Sequence, residues 1–422
     1  MAISNSKLVE IAAANGTPFY IFDAAAIRDR FAQLEQTFGA LFGVSYAVKA
    51  NPNLELLRLV DPFVATFDVS SYKEIERVLA IGCPPERITF SGPAKREAEV
   101  RGAVEQRIGE LVVESLHEAE VASAHAVELG VRQPILLRIN PASGPKHFGV
   151  SFSGRASQFG IDEEEVGQAL SRIAQLPGLE LVGFHIYSGT NSLNPEAIAD
   201  NMTGFVRIFR AASEQADIRP RKLVFGAGFG LPYGAADEPL DIQAVAAGVE
   251  ATIRELKAEP RFQSAECVLE MGRWLVGPPG LLVTAVVGEK ESRGAHMRLC
   301  DAGFNNHLAA FGMMGTVIKR NWRIRNVSNP NAATDKYTLV GPLCTSIDVL
   351  ATNIELPAVR RGDLLAVENS GAYGLTASPT RFISHPEPRE YLLDGETLVD
   401  ATESELNYWA EIDRTGRLKR SA

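Results

Sequence analysis

Cysteine is scarce in this chain. Four occur in 422 residues, at positions 83, 267, 300 and 344, and no two form a Cys-x-x-Cys pair. That spacing suggests neither a zinc site nor a redox motif, and widely separated thiols suit a reducing cytoplasm. No apolar run reaches the roughly 20 residues of a membrane helix. The N-terminal stretch Met1–Lys7 lacks the basic-then-apolar pattern of a secretory signal. Long basic runs are missing as well, and the formal net charge is -10. Nucleic acid and anionic membrane surfaces are therefore poor main partners, although a local basic pocket for a phosphate remains compatible. With 45% hydrophobic and 22% charged residues, the expectation is a cytoplasmic globular protein whose core needs no disulfide staples.

What is present is a recurring unit. A short β-rich apolar run is followed by an amphipathic stretch rich in Ala, Glu and Leu. The runs are Gly43–Val48, Val64–Val69, Arg87–Phe90, Glu110–Val113, Pro134–Ile139, Glu180–Ile186, Lys222–Phe225 and Glu266–Leu269. Helical segments between them include Ser71–Ile81, Leu116–Leu129, Glu163–Leu176, Pro195–Gln215 and Asp241–Lys257. Eight such units spell an α/β fold, a (β/α)8 barrel over residues 24–280. After Gly280 strands and turns dominate: Leu281–Val287, His296–Asp301, Lys336–Leu339, Leu364–Glu368 and Arg389–Leu393, with an exposed loop at Asn326–Asp335. Residues 281–422 read as a second, all-β domain, and the strand-like Thr17–Phe22 fits either domain, so that residues 1–23 are possible additions to the second.

Chemistry in such barrels gathers at the C-terminal strand ends. Here every end is polar or glycine-rich. In order they carry Lys49, Asp68-Val-Ser-Ser71, Ser91-Gly-Pro93, Glu114-Ser115, Arg138, His185–Thr190, Gly226–Gly230 and Glu270–Arg273. Lys49 is either a snorkelling side chain or a lysine of depressed pKa that forms an imine with an aldehyde. The Gly226–Gly230 turn is either a tight turn or a phosphate cradle, with Ser188 and Arg273 as further donors. Glu270 is either half of a structural ion pair or the acidic partner of a cofactor's pyridine nitrogen, which would make pyridoxal phosphate (PLP) a strong electron sink. His185 is a satisfied core histidine or stacks on a flat cofactor.

Tyr46–Asn51, Phe67–Ser71, Gln158–Ile161, His185–Thr190, Gly226–Gly230, Glu270–Arg273, Gly341-Pro-Leu-Cys344 and Glu368–Tyr373 stand in an order that resembles the alanine-racemase-fold (fold type III) PLP decarboxylases. That family includes diaminopimelate and ornithine decarboxylases. The resemblance implies a PLP-binding (β/α)8 barrel, a C-terminal β-barrel domain and a homodimer with composite active sites. It implies Lys49 as the Schiff-base lysine, His185 stacked on the ring and Glu270 at the pyridine nitrogen. Asp68, Arg138, Ser188, Gly226, Gly228, Arg273 and Tyr373 would surround the cofactor. Cys344, arriving from the partner subunit, would be the general acid.

The departures bear on substrate. Diaminopimelate and ornithine enzymes follow the cysteine with an acidic residue, where this chain has Thr345. Ala309 and Met313 stand where the resemblance expects an arginine and a tyrosine for a distal carboxylate. A doubly charged distal centre would be desolvated there without compensation. His307–Ala310, Gly315–Asn321 and Cys344-Thr345 resemble a branch acting on modified amino acids, such as a glutamyl group on a carrier protein or a siderophore intermediate. Rival readings are a diaminopimelate decarboxylase, an amino-acid racemase, and a non-catalytic regulatory relative.

Overall fold

The computed structural model describes residues 3–314 and 320–403. Its first sheet is a closed barrel of eight parallel strands. In chain order these are Gly43–Ala47, Thr66–Val69, Ile88–Phe90, Glu110–Val113, Gln133–Asn140, Leu179–Ile186, Lys222–Gly226 and Glu266–Met271. Each pairs with the next, and the eighth returns to the first, Glu270 lying opposite Ser45. The eight expected runs match these strands to within a residue or two.

Alternation along each strand sorts side chains between two environments. Phe67, Phe184, Phe225 and Leu269 are fully buried and belong to the main core. Val112, Leu136, Val182 and Val224 form a small separate cluster. Near the strand ends Arg138 lies opposite His185, and Gly226 opposite Glu270, so polar groups converge on one rim. Capping residues fix where the helices that follow the strands begin. Ser71 Oγ accepts from Glu74 N, Ser115 Oγ from Glu118 N, and Asp241 Oδ1 from Gln243 N and Ala244 N. The long helix Pro195–Gln215 starts with Asn194 as cap and proline in its first turn.

The second sheet runs Val349–Pro357, Thr334–Val340, Ala295–Cys300, Gly280–Ser292, Phe19–Asp23, Arg389–Asp394, Thr397–Asp400, with Leu364–Val367 added alongside Gly280–Ser292 and Ile324–Asn326 alongside Leu364–Val367. Phe19–Asp23 pairs antiparallel with Gly280–Val283 and parallel with Arg389–Leu393. The N-terminal strand is thus built into the second sheet. Among the described residues no helix is long and apolar enough to cross a membrane.

Candidate active site

The first barrel strand ends at Ala47, one residue before the sequence reading placed its end. Lys49 sits in the single 3-10 turn Val48–Ala50. That turn packs against Gly272, where a Cβ would lie 2.5 Å from the Ala50 Cβ. Its Nζ stands 3.1 Å from Glu270 Oε1 and 3.4 Å from Asp68 Oδ2. The depressed pKa that one of the two readings of Lys49 calls for is not found in this arrangement. Burial works against the ammonium, but Glu270 and then Asp68 outweigh it and hold the amine well above the usual lysine value.

Glu270 and Asp68 are both 2% exposed. Two buried carboxylates this close cannot both ionise easily. Burial acts on both. Lys49 and the His185 bond overcome it at Glu270 and hold that carboxyl well below the usual range. At Asp68, burial and then Glu270 prevail, and its carboxyl is raised. His185 Nε2 lies 2.7 Å from the second oxygen of Glu270, and burial pulls the imidazole pKa down against that bond. One ligand atom each of Asp68, His185 and Glu270 falls within 4.8 Å of the others, a spacing that suits a cation. The Lys49 ammonium meets that need.

Lys49, Glu270, Gly228, Arg273 and Tyr373 line one narrow cavity, with room for about one water. Arg273 Nη1 donates to Tyr233 Oη at 2.7 Å, and its guanidinium lies 4.6 Å from the Tyr373 ring centre. Arg273 Nε is buried with no hydrogen-bond partner. Gly228 has φ +67°, and a Cβ there would stand 2.5 Å from Phe148 Cε1, so only glycine fits the turn. On its other side Lys49 opens onto a cleft of about 460 Å³ lined by Asn53, Glu74, Arg77, Thr376, Ser378 and Glu390.

Other expected residues are held by other partners. Arg138 is ion-paired with Glu114 at 2.8 Å, with its guanidinium 4.6 Å from the Phe159 ring centre. Ser188 Oγ donates to Asn201 Oδ1 at 2.9 Å. Gly226 closes the seventh strand against Tyr187. Ala309 and Met313 are half-buried against the main core. Cys344 is exposed and Thr345 half-buried beside it. None of these seven lines either space beside Lys49. Of the Gly315–Asn321 motif, residues 315–319 lie outside the described residues. Sequence reasoning assigned no role to Tyr187, whose ring centre is 5.6 Å from Lys49 Nζ, nor to Tyr233. Tyr187 stood inside a motif already singled out; Tyr233 gave no signal.

The donor set fits PLP. It offers an amine for the aldehyde, a carboxylate kept ionised for the ring nitrogen, and a buried guanidinium with an unsatisfied N–H beside a side-chain-free turn for the phosphate.

Comparison with known proteins agrees. A family model described as "Pyridoxal-dependent decarboxylase, pyridoxal binding domain" matches residues 24–277. The chain is 30% identical over 396 residues to the L-glutamyl-[BtrI acyl-carrier protein] decarboxylase of Niallia circulans, covering 93% of this chain and 92% of that one. It is 32% identical over 406 residues to the diaminopimelate decarboxylase of Zymomonas mobilis, covering 94% and 92%. The crystal structure of Helicobacter pylori diaminopimelate decarboxylase complexed with L-lysine superposes with a TM-score of 0.83 at 28% identity, over 96% and 98% of the two chains. A match across more than half of the chain, with 30% identity along nearly all of it, places the chain in the pyridoxal-dependent decarboxylases: it is a PLP-dependent carboxy-lyase that acts on an amino acid.

Proposed function

We propose that this decarboxylase removes the α-carboxylate of an amino acid whose distal end carries no free charge pair, such as a glutamyl group tethered to a carrier protein. The observation that carries the reading is the presence of Ala309, Met313 and Thr345 where the resemblance expects an arginine, a tyrosine and an acidic residue as readers of a distal charge. Similarity to a carrier-protein glutamyl decarboxylase supports it. We also propose a division of the chain into residues 24–280 and residues 281–422 with 1–23, and a cytoplasmic location.

PLP, when bound, supplies the electron sink that accepts the bonding pair of the departing carboxylate. Lys49 Nζ would hold the cofactor through its aldehyde. Glu270 can neutralise one cation at its Oε1. Glu270 would be the carboxylate beside the cofactor's ring nitrogen, and were its charge engaged there it would hold the Lys49 ammonium less strongly. His185 grips the second oxygen of Glu270 and keeps the carboxylate aimed. Arg273, the Gly228 turn and Tyr373 would hold the phosphate end, with Asp68, Arg138, Ser188 and Gly226 supporting the surrounding shell. Cys344 Sγ returns a proton to the α-carbon.

Cys344 does not border its own chain's Lys49 cavity or cleft, which supports a homodimer in which each chain lends its cysteine to the other. Ile347, 56% exposed, and Phe382, 44% exposed and stacked on Phe304, are the kind of apolar side chains such a joint covers. The test is a CO2-release screen over free diacids, diamino acids and carrier-tethered amino acids. Release from the tethered glutamyl group, well above that from diaminopimelate, is expected. Equal or faster release from free diaminopimelate contradicts the proposal.

A further inference from the structure

Asp348 has no part in the chemistry above, yet its carboxylate is 2% exposed and ties two loops together. Oδ1 accepts from Phe304 N and Oδ2 from Leu343 N, each at 2.8 Å. The Asp348 carbonyl accepts from Gly341 N at 2.9 Å, which closes the loop on itself. Bonds from backbone amides to a buried carboxylate are among the stronger ones a protein makes.

This carboxylate also lies against two glycines. A Cβ at Gly341 would stand 2.2 Å from Asp348 Oδ2, and one at Gly303 would stand 2.9 Å from the same oxygen. One of these glycines opens the Gly-Pro-Leu-Cys motif and the other ends Asp301-Ala-Gly303. Gly341 packs directly on Gly303, a Cβ on the former standing 2.6 Å from the Cα of the latter, and Asp348 Oδ2 borders both.

The two loops differ in what they face. From the Gly303 turn the chain runs on to Leu308, whose N–H donates to Ser378 Oγ at 2.9 Å, and Ser378 lines the cleft beside Lys49. The other loop turns tightly, Thr345 N bonding to Leu343 O at 2.7 Å. That turn presents Cys344 outward, whereas the other three cysteines are buried.

We propose that Asp348 is a positioning residue for Cys344. It fixes the thiol's place relative to the segment that borders the chain's own cleft and carries Ala309 and Met313. The inference rests on Cys344 being the proton donor of the proposed function.

Two measurements test it on the full-length protein. The first needs no turnover: iodoacetamide alkylation of Cys344, followed by peptide mass spectrometry. Asp348→Asn frees the loop and should speed alkylation at least about threefold, while the buried cysteines stay unreacted as a check on folding. An unchanged rate overturns the proposal. The second is a double-mutant cycle on amine formation. Asp348→Asn should cost about tenfold in the natural background and less than about twofold in the Cys344→Ser background, because the residue acts through the thiol. Equal costs in the two backgrounds overturn it. If Cys344→Ser alone keeps full turnover, the proton-donor assignment fails instead, and alkylation alone decides the positioning claim. Should Asp348→Asn not fold, Gly303→Ala crowds the same oxygen, with Asn305 Oδ1 and Leu343 Cγ at the same 2.9 Å, loosens the same joint between the two loops without changing charge, and carries the same expectations.

Discussion

Glu390 lines the cleft beside Lys49 and is 7% exposed. Burial pushes its carboxyl from an ordinary 4.5 up to about 7, the Asn53 amide pulls the other way, and Glu403 adds to the rise. The fold therefore favours the neutral acid. The sign follows from linkage: a carboxyl whose folded pKa lies above its unfolded value gives its full stability below the unfolded value, loses it as pH rises, and levels off above the folded value. For Glu390 the loss runs from about 4.5 to about 7, and its full size is on the order of 3 kcal/mol. Glu390→Gln removes the ionisation and keeps an acceptor for Asn53 Nδ2, which donates to Glu390 Oε2 at 3.1 Å. Urea unfolding of both proteins near pH 8 and near pH 5 reads the effect. The variant should gain on the natural chain by up to about 3 kcal/mol between the lower and the higher pH. A stability difference that does not change with pH would refute the argument.

Two other substitutions probe the cofactor pocket and the barrel wall. Tyr233→Phe keeps the ring stacked on Trp322, 4.1 Å between centroids, but leaves Arg273 Nη1 without its acceptor. A bond to a charged group is worth about 1.5–3 kcal/mol, so PLP affinity, read by absorbance titration, should fall roughly tenfold or more; unaltered affinity would remove Tyr233 from the account. Phe225 is fully buried and meets Phe42 and Phe209 edge-on at 5.2 and 5.1 Å. Phe225→Ala should cost about 3–5 kcal/mol in chemical denaturation, and a loss below about 1 kcal/mol would mean the wall repacks freely.

The barrel was legible because its signal is local. A short apolar run bounded by a capping residue, as at Thr66–Val69 before Ser71, needs no distant partner to be recognised. Helix Pro195–Gln215 was readable to the residue, from its cap and its opening proline. The second sheet was harder to read. Val349–Pro357 was missed because its burial pattern is irregular, with Asn353 at φ +50° and a shifted register against Thr334–Val340. Lys49, His185 and Glu270 were found as strand-end residues. Their electrostatics were not, since the charge on Lys49 depends on Asp68 and on Glu270, 221 residues away. Glu390 and Tyr233 were invisible for the same reason. What makes each of them matter is a partner brought near only by folding, such as Asn53, 337 residues before Glu390.

The most direct trial of the whole account is borohydride reduction of the PLP-loaded protein followed by peptide mapping. The cofactor mass should be fixed to the peptide containing Lys49, and Lys49→Ala should lose both that adduct and the visible absorption band. A reduced adduct on a different lysine, or a band of full strength in Lys49→Ala, would contradict it.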